Sequence, residues 1–210
     1  MPALVLWFPA QVVVPGTMMS YLPLGTAQFI QLRRDVNYKV LALIVGGAVI
    51  GMPVGAIILR DTDTEMMRRA IGLAMIGLAI CLQFKPSAPF KRETAACLGI
   101  GTVSGVLSAS IGVSGPPLVL LGLKQMWPQA QFRATLITCF LCTSSLSLMV
   151  QRSVGVLTFE SLQFVVWGAP GLAFGFLTSS WLRKHLHRTS IFRWISIGVV
   201  ITGGLAAAFF

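Results

Sequence analysis

The stretch that decides the fold of this chain reads Gly99-Ile-Gly-Thr-Val-Ser-Gly-Val-Leu-Ser-Ala-Ser-Ile-Gly-Val-Ser-Gly-Pro-Pro117. It is an apolar segment, rich in Gly and Ser, that runs into two consecutive prolines. Glycine admits backbone angles that other residues avoid, and the residue before a proline is pushed out of the helical region. We therefore predict a helix that enters this stretch, breaks near Gly112 and resumes at Pro116 and Pro117.

The composition around this stretch is that of an integral membrane protein. Of the residues, 55% are hydrophobic and 10% are charged, whereas a soluble domain carries about 25% charged residues. Mean hydropathy is +0.82. Because a spanning helix needs about 20 apolar residues, the chain accommodates about seven spans. We predict an all-α, polytopic transmembrane bundle with spans at 4–31, 39–59, 67–84, 95–123, 132–151, 160–182 and 190–210, the first and fourth of them irregular.

The charged residues fall between these segments, because charged side chains are excluded from the hydrocarbon core and lie at the membrane interfaces. The net charge of +10 could suggest a nucleic-acid partner. Since the basic residues occupy short loops between apolar helices, the lipid bilayer with its anionic headgroups is the simpler partner. The sequence predicts a multi-pass protein of the cell membrane, without nucleic acid and with no indication of its oligomeric state.

The chain also carries an internal duplication at an offset of 120 positions. This offset superposes the pairs Gln31 and Gln151, Val36 and Val156, Gly51 and Gly171, and Gly55 and Gly175. We predict two tandem transmembrane repeats, residues 1–89 and residues 90–210. The counterpart of the Gly112 break would lie before Met1, so we expect the first repeat to be incomplete at its N-terminus. Paired repeats with a broken helix form the binding sites of many transporters.

The break itself is the first candidate binding site. Non-helical backbone at membrane depth is tolerated only where protein or a water-filled cavity satisfies its polar groups. A half-helix that resumes at the prolines offers N–H groups and the positive end of its dipole, a combination that binds anions. The alternative is a simple kink between packed helices. The candidate substrate-binding residues here are Gly112, Ser114, Gly115, Pro116 and Pro117.

Polar faces on the neighbouring helices extend this candidate site. Thr138 and Thr17 are candidate pocket hydroxyls, and Arg133 is a candidate electrostatic attractor near the mouth. All six acidic residues fall near predicted helix ends, so a buried carboxylate proton relay is not expected. We therefore predict a small anionic substrate. No cofactor and no metal site are predicted, and the Cys139–Cys142 pair is interpreted as packing residues because no His or acidic residue lies nearby.

These residues resemble the sulfite exporter TauE/SafE family of bacterial membrane permeases. The similarity is carried by the duplicated helices, by Gly112-Val-Ser-Gly-Pro-Pro-Leu118 and by the basic turn Gln31-Leu-Arg-Arg-Asp-Val-Asn37. The resemblance implies two similar halves and export of sulfite, sulfonates or related sulfur-containing anions. The chain departs from the family pattern in two ways: the glycine motif of the first repeat is missing, and Gly-Val-Ser-Gly stands where a glycine triplet is usual.

Two other functions compete with transport by alternating access. Gly112-Val-Ser-Gly115 also fits the G-x-S-G motif of rhomboid intramembrane serine proteases, in which a histidine on a later helix must reach the serine. The histidines, His185 and His187, lie in a charged run that is typical of an interfacial loop. A structural membrane subunit is the second alternative. We predict that the protein is not an enzyme.

Overall fold

A computed structural model describes residues 7–83, 90 and 92–168 of the chain. These residues form helices α1 (Ala10–Leu32), α2 (Tyr38–Asp61), α3 (Thr64–Gln83), α4 (Glu93–Ile111), α5 (Gly115–Lys124) and α6 (Gln129–Ser153). A seventh helix, α7, begins at residue 159 and continues to residue 168, the last one described. No strand occurs in this part of the chain, in agreement with the predicted all-α class.

Three of these helices, α2, α4 and α6, are long and apolar enough to cross a membrane. The predicted span at 160–182 lies only partly within the described residues, and the one at 190–210 lies outside them. The total number of spans therefore stays a prediction.

Helices α2 and α4 pack backbone to backbone along a stripe of glycines. A Cβ atom added at any of these glycines would collide with a main-chain carbonyl of the facing helix, so a larger residue cannot be accommodated without moving one helix. Such close approach is how helices associate in lipid, where no hydrophobic force drives them together. Residue numbers rise together along the two helices, so α2 and α4 run parallel. The glycines of α2 and the α4 residues that they face are Gly47 with Leu98, Gly51 with Thr102 and Gly55 with Val106. The glycines of α4 and the α2 residues that they face are Gly101 with Ile44 and Gly105 with Ala48.

Helix α4 ends at the predicted break. Gly112 adopts a left-handed conformation with φ 71°, and its N–H bonds to the carbonyls of Leu107 and Ser108. Side chains other than glycine rarely adopt this conformation, which makes glycine the usual residue just past a helix end. The break at 112–114 confirms the sequence prediction.

After the break, the chain reverses direction instead of continuing across the membrane. The Ser104 hydroxyl, near the middle of α4, donates to the Ser114 carbonyl at 2.8 Å. At the other end of α5, the Lys124 ammonium lies 4.0 Å from the centre of the Phe90 ring, just before α4 begins. The segment 95–123, predicted as a single span, is therefore a hairpin of a long helix and a half-length helix.

The remaining helices fix the two ends of the bundle. The N–H of Asn37, just before α2, donates to Thr135 near the start of α6 at 3.3 Å, so α6 runs parallel to α2 and α4. We call the end where α2, α4 and α6 begin the first end, and the end where they finish the second end. Helix α1 runs the opposite way, because the Gln11 amide near its start donates to the Thr62 carbonyl at the second end at 3.1 Å.

Helices α1 and α6 lie at positions related by the offset of 120 residues. An offset of 120 moves α1 to residues 130–152, one residue inside α6 at each end. The two helices pack against each other antiparallel, with Gly25 beside Leu141 and with Met18 and Leu148 in one buried cluster. The equivalence of whole repeats stays a prediction, since residues 169–210 lie outside the described part.

Candidate functional site

A line of buried polar side chains runs between α4 and α6. We call it the polar seam, and it consists of Ser104 and Ser108 from α4 and Thr143, Ser147 and Gln151 from α6. On each helix these residues follow one another at intervals of four, so they share one face. The Ser147 hydroxyl donates to Ser108 at 3.1 Å, and the Gln151 amide donates to the Ala109 carbonyl at 2.9 Å.

The start of α5 meets this seam at Ser114. The Ser114 hydroxyl lies 3.4 Å from the Thr143 hydroxyl. Thr143 already donates to the Cys139 carbonyl at 2.8 Å. Because a hydroxyl has only one proton, Ser114 is the donor in its contact with Thr143. This long hydrogen bond is the weakest contact of Ser114 and the one that a ligand could replace most easily.

The start of α5 has few backbone donors. Pro116 and Pro117 occupy the first turn of the helix and have no N–H group. The backbone donors are consequently those of Ser114, Gly115 and Leu118. The participation of Pro116 and Pro117 in binding stays a prediction; because neither can donate, their part would be to hold the helix start rigid.

The two candidate threonines do not join Ser114 in the described structure. Thr138 is buried, and its hydroxyl donates to the Ala134 carbonyl of its own helix at 2.8 Å. Thr17 is half-buried on α1, and its hydroxyl donates to the Val13 carbonyl at 2.9 Å. Thr143 is instead the α6 hydroxyl beside the break. The role of Thr138 and Thr17 as pocket hydroxyls stays a prediction.

Arg133 lies at the rim of a depression near the first end. Its side chain is exposed, and the depression has a volume of about 570 Å³. The walls are largely apolar and include Trp127, Phe132 and Phe140. Arg133 thus places a cation at the rim of a largely apolar depression, and its role as an electrostatic attractor stays a prediction.

Phe140 separates this depression from the start of α5. A Cβ atom added at Gly115 would lie 3.3 Å from the Phe140 Cζ, so the ring stands directly against Gly115. Phe140 also lines the depression. One aromatic ring therefore lies between a basic rim and the start of the half-helix.

The surroundings of the site carry no negative side chain. The acidic residues all belong to exposed positions at helix ends, and they are Asp35, Asp61, Asp63, Glu65, Glu93 and Glu160. Among the described residues, no cluster of His, Cys, Asp or Glu is suited to a metal ion. The chemistry of the site is consequently that of neutral hydroxyl and amide groups.

Thr143, Ser147 and Gln151 were not among the predicted site residues. The signal was present in the four-residue spacing of Ser104 with Ser108 and of Thr143 with Ser147. It could not be used because no sequence pattern says which faces of α4 and α6 meet. The close packing of α2 on the glycine face of α4 decides this, since it turns the serine face of α4 towards α6.

The apolar helices identify an integral membrane protein, and a reversed half-helix beside a buried polar seam is an arrangement found in the transporter class. The family model described as "Sulfite exporter TauE/SafE" matches residues 1–207. The chain belongs to this family, and it is a membrane permease by that membership. No curated protein and no solved structure matched the chain.

Family membership agrees with a protein that is not an enzyme, because TauE/SafE proteins are transporters. The protease alternative required a histidine beside Ser114. Both histidines, His185 and His187, lie outside the described residues. The hydroxyl that Ser114 contacts is that of Thr143, which is not a general base.

Proposed function

We propose that this protein is a multi-pass permease of the cell membrane that carries a small anion, sulfite or an organosulfonate, by alternating access. The observation that carries the proposal is the position of the start of α5. It lies at the level of Ser104, near the middle of α4, where a spanning helix is furthest from both interfaces. The start of a half-helix at this depth is the arrangement that transporters use for anionic groups.

The anion would be held by the start of α5 and by the Ser114 hydroxyl. The positive end of the α5 dipole and the N–H groups of Ser114 and Gly115 favour negative charge. The Ser114 hydroxyl would turn from Thr143 to the anion, exchanging a 3.4 Å hydrogen bond for a charge-assisted one. With no carboxylate nearby, nothing repels the ligand.

Alternating access would use Phe140 as the barrier on the side of the first end. Arg133 raises the local concentration of anions at the rim of the depression. Rotation of the Phe140 ring would then open a path from the depression to Gly115. The apolar walls of the depression suit an organosulfonate, whose carbon chain can pack there while its sulfonate faces Arg133.

The test is flux of labelled sulfite and of a small labelled organosulfonate into liposomes that contain the purified protein. We expect Gly115→Val to abolish flux, because its methyl groups occupy the space in front of the helix start. Folding should survive, since the obstacle is the movable end of the Phe140 ring and not backbone. Ser114→Ala should weaken anion binding by about 1 kcal/mol, the typical net value of one hydrogen bond.

Ser145→Ala is the matched control, because the Ser145 hydroxyl donates only to the Leu141 carbonyl of its own helix, at 2.8 Å. It should transport as the unaltered protein does. Normal flux in Gly115→Val would show that the break is only a structural turn, and the anion site would then be withdrawn.

A further inference from the structure

The polar seam ends at the second end in a buried oxygen atom with no partner. Gln151 is fully buried, and its Nε2 atom donates to the Ala109 carbonyl. Its Oε1 atom has no hydrogen-bond partner among the described residues. Buried polar atoms are almost always paired, so an unpaired buried carbonyl oxygen calls for a ligand that offers positive charge or a proton.

The atoms around this oxygen are also electron-rich. Nε2 and Oε1 share one carbon, so Oε1 lies beside the last turn of α4, where Ala109 accepts the hydrogen bond. At this helix end the carbonyls of Leu107 and Ser108 accept from Gly112, and that of Ala109 accepts from Gln151. Each carbonyl oxygen has a second lone pair, and together they form the negative end of the helix dipole. One turn earlier on α6, Ser147 donates to Ser108, and both hydroxyl oxygens keep lone pairs on the same face.

From this geometry we propose a second binding site, for a monovalent cation of the size of sodium, formed by Gln151, Ser147 and Ser108 beneath the last turn of α4. Its ligands are the Gln151 amide oxygen, the serine hydroxyl oxygens and a carbonyl of the α4 end. All are hard, neutral oxygens, the type of ligand that alkali and alkaline-earth cations prefer.

The charge of the site selects a monovalent ion. A divalent ion is normally bound by at least one carboxylate. The acidic residue nearest in sequence to Gln151 is the exposed Glu160, in the first turn of α7. The neighbouring Arg152 is exposed, whereas Gln151 is buried beneath the last turn of α4. The Arg152 guanidinium therefore faces water and not the site. The neutral oxygens and the helix dipole can therefore stabilise a single positive charge, but not two.

The site is distinct from the proposed anion site and can be tested without it. Gln151 and Thr143 are two turns apart on α6, a distance of about 12 Å along the helix axis.

For the test, purified protein in detergent is heated in sodium chloride, potassium chloride or choline chloride at equal ionic strength, without any sulfur anion. Because a ligand that binds only the folded state raises Tm, we expect a saturable rise in Tm with sodium beyond that with choline.

Gln151→Leu should abolish this sodium-specific rise. Gln31→Leu is the matched control, because Gln31 is the counterpart of Gln151 at the offset of 120 but is exposed; it should keep the full rise. Ser147→Ala removes a single hydroxyl and should raise the half-saturating sodium concentration roughly tenfold.

Equal Tm curves in sodium and choline for the unaltered protein would overturn the proposal, and a buried water would then be the partner of Oε1. A normal sodium response in Gln151→Leu would overturn it as well. If Gln151→Leu does not fold, Ser147→Ala decides, and an unchanged half-saturating concentration contradicts the site. None of these outcomes bears on sulfite flux, so the two proposals fail separately.

Discussion

Ser104 and Ser114 are ten positions apart and joined by a hydrogen bond of 2.8 Å from the Ser104 hydroxyl to the Ser114 carbonyl. In a continuous helix these residues would be about 15 Å apart along the axis. The bond therefore marks the reversal of the chain after Gly112. It also sets the depth at which the half-helix α5 begins, on which the proposed anion site depends.

Removing this bond should loosen the hairpin. We expect Ser104→Ala to destabilise the protein by about 1–3 kcal/mol, because it leaves a buried carbonyl without its partner. Thermal unfolding in detergent measures the effect. Ser110→Ala is the control, since the Ser110 hydroxyl donates to Val106 within its own helix and its loss should cost much less. Equal Tm values for the two variants would contradict this role of Ser104.

The glycine stripe predicts opposite outcomes for two neighbouring glycines of α2. A Cβ atom at Gly51 would collide with the Thr102 carbonyl, whereas at Gly46 it would meet nothing within 4 Å. We expect Gly51→Ala to separate α2 from α4 and to lower Tm strongly. Gly46→Ala should leave Tm unchanged or raise it slightly, because alanine favours helix by about 1 kcal/mol. A similar loss of stability in both variants would mean that the stripe is not the contact that holds these helices.

Phe140 should control access to the start of α5 from the first end. In a variant without the native cysteines, we expect Ser114→Cys to react slowly with a small, hydrophilic thiol reagent. Adding Phe140→Ala should increase the rate at least tenfold, since the ring is the wall between the depression and Gly115. Adding Phe132→Ala is the control, because Phe132 lines the same depression but faces Gly122. If the Phe140 substitution leaves the rate unchanged, another residue closes the path.

The hairpin also predicts the orientation in the membrane. Because α5 returns to the first end, Lys124 and Arg133 join the basic residues already there, so among the described residues Lys and Arg are more frequent at this end. The positive-inside rule then places the first end in the cytoplasm. The described basic residues of the first end are Arg33, Arg34, Lys39, Arg92, Lys124 and Arg133, against Arg60, Arg68, Arg69 and Arg152 at the second.

The exposed ends of α6 provide the measurement of orientation. Ser153→Cys should react with an impermeant maleimide added to intact cells, whereas Gln129→Cys should react only in inside-out vesicles. The two positions control for each other, since they terminate the same helix. The reverse pattern of labelling would place the second end in the cytoplasm.

Local chemistry allowed the break to be predicted from sequence. Gly112 and the two prolines act on their own backbone, so their effect needs no knowledge of distant residues. The apolar composition likewise predicted a helical membrane protein. Each of these inferences depends on residues within a few turns of one another.

Which polar residues lie beside the break depends on neighbours that the sequence does not show. Thr138 and Thr143 are five positions apart, which rotates them about 140° around α6. Both are buried, yet only Thr143 faces Ser114. A helical face can be read from sequence, but the helix that covers it cannot.

The direction of the chain after the break was decided only by tertiary structure. Glycine and proline end a helix without stating where the next one goes, and a continued span and a hairpin satisfy the same local rules. The choice comes from contacts between distant residues: the bond between Ser104 and Ser114 at one end of α5 and the contact of Lys124 with Phe90 at the other. The sequence by itself thus determined that this helix must break in an apolar chain. Packing determined that it turns back, because a buried carbonyl at mid-depth must find a donor and Ser104 provides it.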